Sequence, residues 1–149
     1  MPKIDIAAAQ ARKGSGYPPP HDAPCRERVR QRLGDAAGLT QFGVNLLTLP
    51  PGVWSSQRHW HTHEDEFVWV LEGEVVMVTE AGETMLRAGD CAGFPAGEAD
   101  GHCLQNRSGR PALLLEVGTR AAEDETDYSD IDLHLTHTRG FTHKDGSPY

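Results

Sequence analysis

Glycine and proline punctuation constrains this chain more than any other feature. Between residues 40 and 117, short apolar runs alternate with turn signals. The runs are Phe42–Leu49, Phe67–Leu71, Val75–Thr79, Met85–Leu86, Cys103–Gln105 and Leu113–Val117. They are parted by Pro50-Pro51-Gly52, Glu72-Gly73, Ala81-Gly82, Ala88-Gly89-Asp90, Pro95-Ala96-Gly97 and Ser108-Gly109. No helix of ordinary length survives breaks so close together, whereas short strands do. Many strands at this spacing predict an all-β sandwich or closed barrel. A chain of 149 residues without an internal repeat is enough for one such domain. The stretch from Phe67 to Val78 reads as a hairpin turning at Glu72-Gly73. Its two strands are nearly continuous in apolar residues, so both of their faces are expected to be covered.

The flanks differ from this middle zone. Residues 1–39 carry seven bases and four acids (net +3), residues 40–117 four and eleven (net -7), and residues 118–149 three and seven (net -4). The first zone is expected to be an extension. It begins with a helix-compatible piece, Ile6–Arg12, and continues through an extended linker, Gly14–Pro20. Arg26, Arg28, Arg30 and Arg32 then recur with period two, on one face of a strand. We read that stripe as a solvated edge strand whose charges resist edge pairing, with an anion-binding stripe as the functional alternative. The last zone is either a docked tail or a disordered acidic one. Ile131, Leu133, Leu135 and Phe141 favour docking.

Composition removes some functions. The net charge of -8 argues against a general nucleic-acid binder. No apolar run approaches the roughly 20 residues needed to cross a bilayer, and Met1–Asp5 lacks the apolar stretch of a secretory signal. Three well-separated cysteines make a disulfide framework an unlikely basis for the fold, so a reduced, cytoplasmic location is expected. Cys91 and Cys103 are expected to be small buried core thiols rather than nucleophiles.

The chemistry concentrates in the histidines. Three of the eight, His59, His61 and His63, fall within five residues. On a strand His59 and His61 point to one side, with Trp60 opposite, and can reach one metal. If Glu66 faces inward, so do Val68 and Val70, while Phe67 and Trp69 face outward. A buried carboxylate is costly unless paired or bound to a metal, which gives Glu66 a reason for its place. His102 shares a strand face with Leu104 and Asn106 and would supply a third imidazole. Three nitrogens and one carboxylate oxygen suit Fe, Mn, Co, Ni, Cu or Zn. His63 is placed at the rim, where a turn must begin. His21, His134, His137 and His143 are expected at the surface.

These residues resemble the two motifs of the cupin superfamily. His59-x-His61, four residues, Glu66, six residues and Gly73 match the first. Gly89, five residues, Pro95-x-Gly97, then His102, three residues and Asn106 match the second. The turn between Gly97 and His102 is two residues longer than the usual pattern, and the spacer after Gly52 is one longer. The flanks are similar to a subgroup of small single-domain bacterial cupins, through Arg32–Asp35, Phe42–Val44, Asp130–Leu133 and His143–Tyr149. The resemblance implies a single cupin jelly-roll barrel over 40–117, with a docking tail over 118–149. It implies one divalent transition metal on His59, His61, Glu66 and His102. Trp54, Val68, Val70, Phe94, Leu104 and His63 are expected around the pocket. The implied function is a metal-dependent enzyme of isomerase, lyase or dioxygenase type, acting on a small oxygenated metabolite such as a sugar acid, keto acid or phenolic. A non-catalytic metal and small-ligand binder or sensor is the alternative. The implied partners are that small molecule and a second copy in a homodimer, with no nucleic acid and no membrane.

Overall fold

A computed structural model describes residues 3–149. Met1 and Pro2, the start of the segment read as lacking a secretory signal, lie outside the described residues. Strand accounts for 44% of the chain and helix for 7%, so the protein is mostly β. The only α-helix among the described residues is one turn, α1 (Leu33–Ala36). Ile6–Ala8 forms a single 3-10 turn, capped by the Asp5 side chain on the Ala7 N–H; the helix-compatible piece goes no further.

Among the described residues thirteen strands form three sheets. The largest orders its strands β1 (Ala11–Lys13), β2 (Val29–Arg32), β3 (Phe42–Leu49), β10 (Ala112–Thr119), β5 (Glu66–Glu72) and β8 (Cys91–Phe94). A three-stranded sheet orders β7 (Gly82–Arg87), β6 (Glu74–Thr79) and β9 (Cys103–Gln105). The third runs β13 (Gly140–Thr142), β12 (His134–Thr136), β11 (Glu125–Tyr128) and β4 (His59–His61). The sheets are not closed into one continuous ring, so the barrel is a stack of sheets rather than a hydrogen-bonded cylinder.

The core lies between the first two sheets. Leu47, Leu49, Val68, Val70, Ala112 and Leu114 come from the six-stranded sheet, and Val75, Leu86 and Leu104 from the three-stranded one. Alternation along β5 explains its part: Val68 and Val70 are buried while their neighbours are not. The hairpin at Glu72-Gly73 forms as expected. Gly73 has φ 78°, and a Cβ there would come within 2.8 Å of the Pro111 carbonyl oxygen, so only glycine fits.

Three expectations are corrected. First, β5 is covered on one face only: Phe67 (39%), Trp69 (45%) and Leu71 (38%) are exposed. They extend a cross-strand row, Leu46–Leu115–Trp69–Cys91, on the outer side of the sheet. Aliphatic continuity signals burial only when something packs on the second face, and among the described residues Phe67, Trp69 and Leu71 stay exposed there. Second, Cys91 is exposed, because it lies on the last strand of that sheet, whereas Cys103 and Cys25 are buried. Third, the arginine stripe is not on an edge. β1 caps the sheet, β2 pairs on both sides, and Arg28 is 7% exposed.

The tail docks. β11 pairs with β4, matching Thr126 to His61 and Tyr128 to His59. Leu133 is fully buried. Arg58 holds the segment with a two-point ion pair to Asp130 (2.7 and 2.9 Å) and another to Glu80 (2.8 Å). The linker Gly14–Pro20 is irregular, yet it also packs inward: Tyr17 meets Tyr128 edge-on, with centroids 5.5 Å apart.

Candidate metal centre

The four expected ligands converge. His59 and His61 sit two apart on β4, with side chains on one side. Glu66 opens β5 and points inward by the same alternation that buries Val68. His102 precedes β9 and is tied to β4 by reciprocal backbone hydrogen bonds with His59 (2.8 and 3.1 Å). The Nε2 atoms of His102, His59 and His61 lie 2.8, 3.4 and 3.6 Å from one Glu66 oxygen. The ligand atoms of His59, His61 and Glu66 all lie within 4.8 Å of one another.

The outward nitrogens of two rings fix the state of the inward ones. His59 Nδ1 lies 2.9 Å from the Gln57 carbonyl, which can only accept, so this nitrogen is the donor. His61 Nδ1 lies 2.7 Å from the Asp124 carboxylate and is a donor for the same reason. In each neutral ring Nε2 is then a bare lone pair facing a carboxylate oxygen. Two acceptors at such distances repel unless a proton or a cation stands between them. The donor set therefore fits a divalent cation. His102 differs: its Nδ1 is buried without a partner, and its ring stacks on Phe94 at 3.5 Å and 3°.

Without a cation the complementary state holds, in which ring protons rather than a metal stand between the imidazoles and Glu66. Burial alone would raise Glu66, but hydrogen bonds with His102 and His59 pull it well below the ordinary carboxylate range. Burial opposes charging of His59 as well, and Glu66 outweighs it, so this imidazole is raised. For His102 burial dominates and the imidazole is lowered.

The cluster borders a cavity of about 430 Å³. Of the expected pocket residues, Val68, Phe94 and Leu104 line it. The other three do not. Trp54 forms an isolated bridge with Gln105, Val70 is part of the sealed core, and His63 is exposed beside Thr62. His21, His134, His137 and His143 stay outside the cavity, and the first, second and fourth bond to surface partners.

Two residues were missed in the sequence, and two more were read first as part of a solvated edge. Asp124, 5% exposed, accepts from His61 and from the His63 N–H (2.8 Å). Glu64 lines the cavity outside the ligand set, with its carboxyl raised by burial. Arg28 and Arg30 line it too. The period-two arginines were a visible signal for the last two. Asp124 and Glu64 stand among similar acids, and nothing in the sequence marks them.

A β core with three imidazoles and one carboxylate at the mouth of a cavity defines a class of small barrel proteins built around a possible metal site. Within that class the chain belongs to the cupin family, whose "Cupin domain" model matches residues 45–118. It is 48% identical to a solved sugar phosphate isomerase from a cupin superfamily, from Silicibacter pomeroyi, over 99% of this chain and 96% of that one, with a TM-score of 0.93. A protein from Acidithiobacillus ferrooxidans, provisionally described as a sugar phosphate isomerase, is 32% identical over 78% of this chain and 74% of that one, with a TM-score of 0.72. The polyketide cyclase of Streptomyces resistomycificus shares the fold, at 17% identity, 80% and 79% coverage, and a TM-score of 0.62. No curated protein matches the chain.

Proposed function

We propose that this cupin is a metal-dependent enzyme acting on a small oxygenated metabolite of the sugar type, with isomerisation as the reaction. The carrying observation is the convergence of three Nε2 atoms on one Glu66 oxygen at the edge of the cavity. The 48% identical sugar phosphate isomerase supports the reaction class.

His59, His61, Glu66 and His102 would hold the ion. A divalent cation there supplies Lewis acidity toward a carbonyl or hydroxyl oxygen. The chain's own residues do the rest. Asp124 keeps His61 in the tautomer whose lone pair faces inward. Phe94, Val68 and Leu104 give the substrate a dry wall. Isomerisation moves a proton between neighbouring carbons; of the wall carboxylates outside the proposed ligands, Glu116 and Asp35 are paired with arginines, and Glu64, which is not, would carry it.

The test has two steps. Elemental analysis after metal repletion should find about one divalent ion per chain in the wild type and far less in His61→Ala. A panel of sugar phosphates and sugar acids followed by NMR should then show turnover that Glu64→Gln suppresses while the metal is retained. A stoichiometric metal with a small molecule recovered unchanged would instead indicate a binding protein. We also propose a homodimer through the outer row around Trp69. Trp69→Lys should then shift the sedimentation coefficient toward a monomer, and a wild type that sediments as a monomer at micromolar concentration refutes it.

A further inference from the structure

Arg28 is a cation buried without a counter-ion. Its Nε donates to the Gly14 carbonyl (3.0 Å) and its Nη1 to the Ser55 carbonyl, and the guanidinium lies 5.9 Å from the centre of the Tyr17 ring. Among the described residues no carboxylate lies within ion-pair distance of it. Burying a charge with only neutral partners is costly, and the cost falls when an anion arrives. Two residues along, Arg30 pairs with Glu116 through Nε and Nη2 (2.7 and 2.9 Å), which fixes the plane of its fork. This leaves Arg30 Nη1 and Arg28 Nη2 without protein acceptors. Neither is among the buried atoms lacking a partner, so both ends are open. Both residues line the same cavity as His59, His61, Glu66 and His102. The Arg30 charge is also felt at Glu66 and His59.

We infer that Arg28 and Arg30 form an oxyanion subsite of this cavity, which takes the phosphate or carboxylate group of the small molecule whose oxygenated end faces the histidines. Guanidinium forks suit both groups, because two N–H donors meet two oxygens. The subsite rests on the proposed function for the rest of the ligand, but its anion affinity does not depend on a metal. Arg32 lines the same wall 3.6 Å from Asp35, and Arg120 is bound to Asp35 and the Leu39 carbonyl. They share that one carboxylate and both side chains are 42% exposed, so solvent screens them and they extend the wall without carrying the subsite.

Titration calorimetry with inorganic phosphate and with acetate tests this on the full-length protein, with metal content measured on the same samples. The wild type should bind at least one of them saturably, and the tighter of the two names the group. Arg30→Gln should weaken binding by about tenfold or more. Arg28→Lys, which keeps the charge but loses the fork, should weaken it less. Arg107→Gln, on the exposed pair with Glu83, should leave it unchanged. Thermal melts show whether each variant is folded. No saturable binding of either anion by the wild type overturns the inference, as does equal affinity in a folded Arg30→Gln. A protein that binds phosphate through Arg30 but never holds a metal would sink the proposed function and leave the subsite standing.

Discussion

The two flanks of this chain reach the same cavity with opposite chemistry. The N-terminal segment, net +3, brings Arg28, Arg30 and the Tyr17 ring. The C-terminal segment, net -4, brings Asp124 behind a ligand and Tyr128 stacked beside His59, 5.8 Å between centroids. The matched cupin segment lies between them and carries all four expected ligands. The difference teaches a division of labour. The matched segment carries the candidate ligands, the tail bonds to His61 and pairs with β4, and the N-terminal arm lines the cavity with arginines. On the proposed subsite, residues outside the shared motif would select the substrate.

That division can be broken experimentally, and the largest test is Leu133→Ala. Leu133, just before β12, is fully buried, so its loss should cost about 2–5 kcal/mol in denaturant unfolding. Metal affinity should fall with it, since β4 hydrogen-bonds to the tail through β11. A destabilised variant that keeps full metal affinity would show that the tail does not hold the histidines.

The arm has its own signature at high pH. Burial pushes the Tyr17 phenol up to about 12, partly offset by Arg28. Below pH 10 both folded and unfolded states keep it protonated, and its contribution is complete. Between pH 10 and 12 only the unfolded state ionises, so stability should fall by about 2–3 kcal/mol across that window. Tyr17→Phe should flatten this loss in urea titrations at stepped pH. An unchanged slope would mean that Tyr17 is open to solvent and the arm is not docked.

Asp124→Asn should lower metal affinity about 10–100-fold, read by competition with a chromophoric chelator, without altering phosphate binding. Restoring the carboxylate one methylene further out, in Asp124→Glu, should recover part of it. If Asp124→Asn weakens phosphate instead, the two flanks do not divide the work as described. The smallest effect belongs to the tail clamp. The Arg58 guanidinium holds the Asp130 carboxyl below its ordinary range. The pair therefore contributes above about pH 4 and loses its contribution as pH falls through the lowered folded value. Asp130 is well exposed, so Asp130→Asn should cost only about 0.2–1 kcal/mol at pH 7, and the difference from wild type should shrink as pH falls through that lowered value.

Much of this was legible in the residues. The run Phe42–Leu49 is β3 residue for residue, and the alternation Glu66-x-Val68-x-Val70 put the carboxylate and the valines inside. Local spacing suffices there, because strand periodicity is a property of neighbouring residues. What was not legible depends on distant pairing. Nothing near His61 says that its partner is Asp124, since five acids in the tail stretch 123–130 offer similar chemistry and only the β4–β11 register selects one. The arginine stripe showed its period but not that Arg28 alone is buried, which depends on its distant contacts with Gly14, Tyr17 and Ser55. The apolar outer face of β5 looked like core because composition cannot tell a packed face from a bare one.

One pairing has a consequence for how the protein is made. β4 carries two of the three imidazoles and finds its ladder partner about 65 positions later, at Thr126 and Tyr128. A nascent chain on the ribosome can build the hairpin and much of the core before that partner has emerged. The histidine strand is therefore among the last parts to be locked, and a chain stalled before Asp124 would leave the ribosome with its barrel begun and its ligands unfastened.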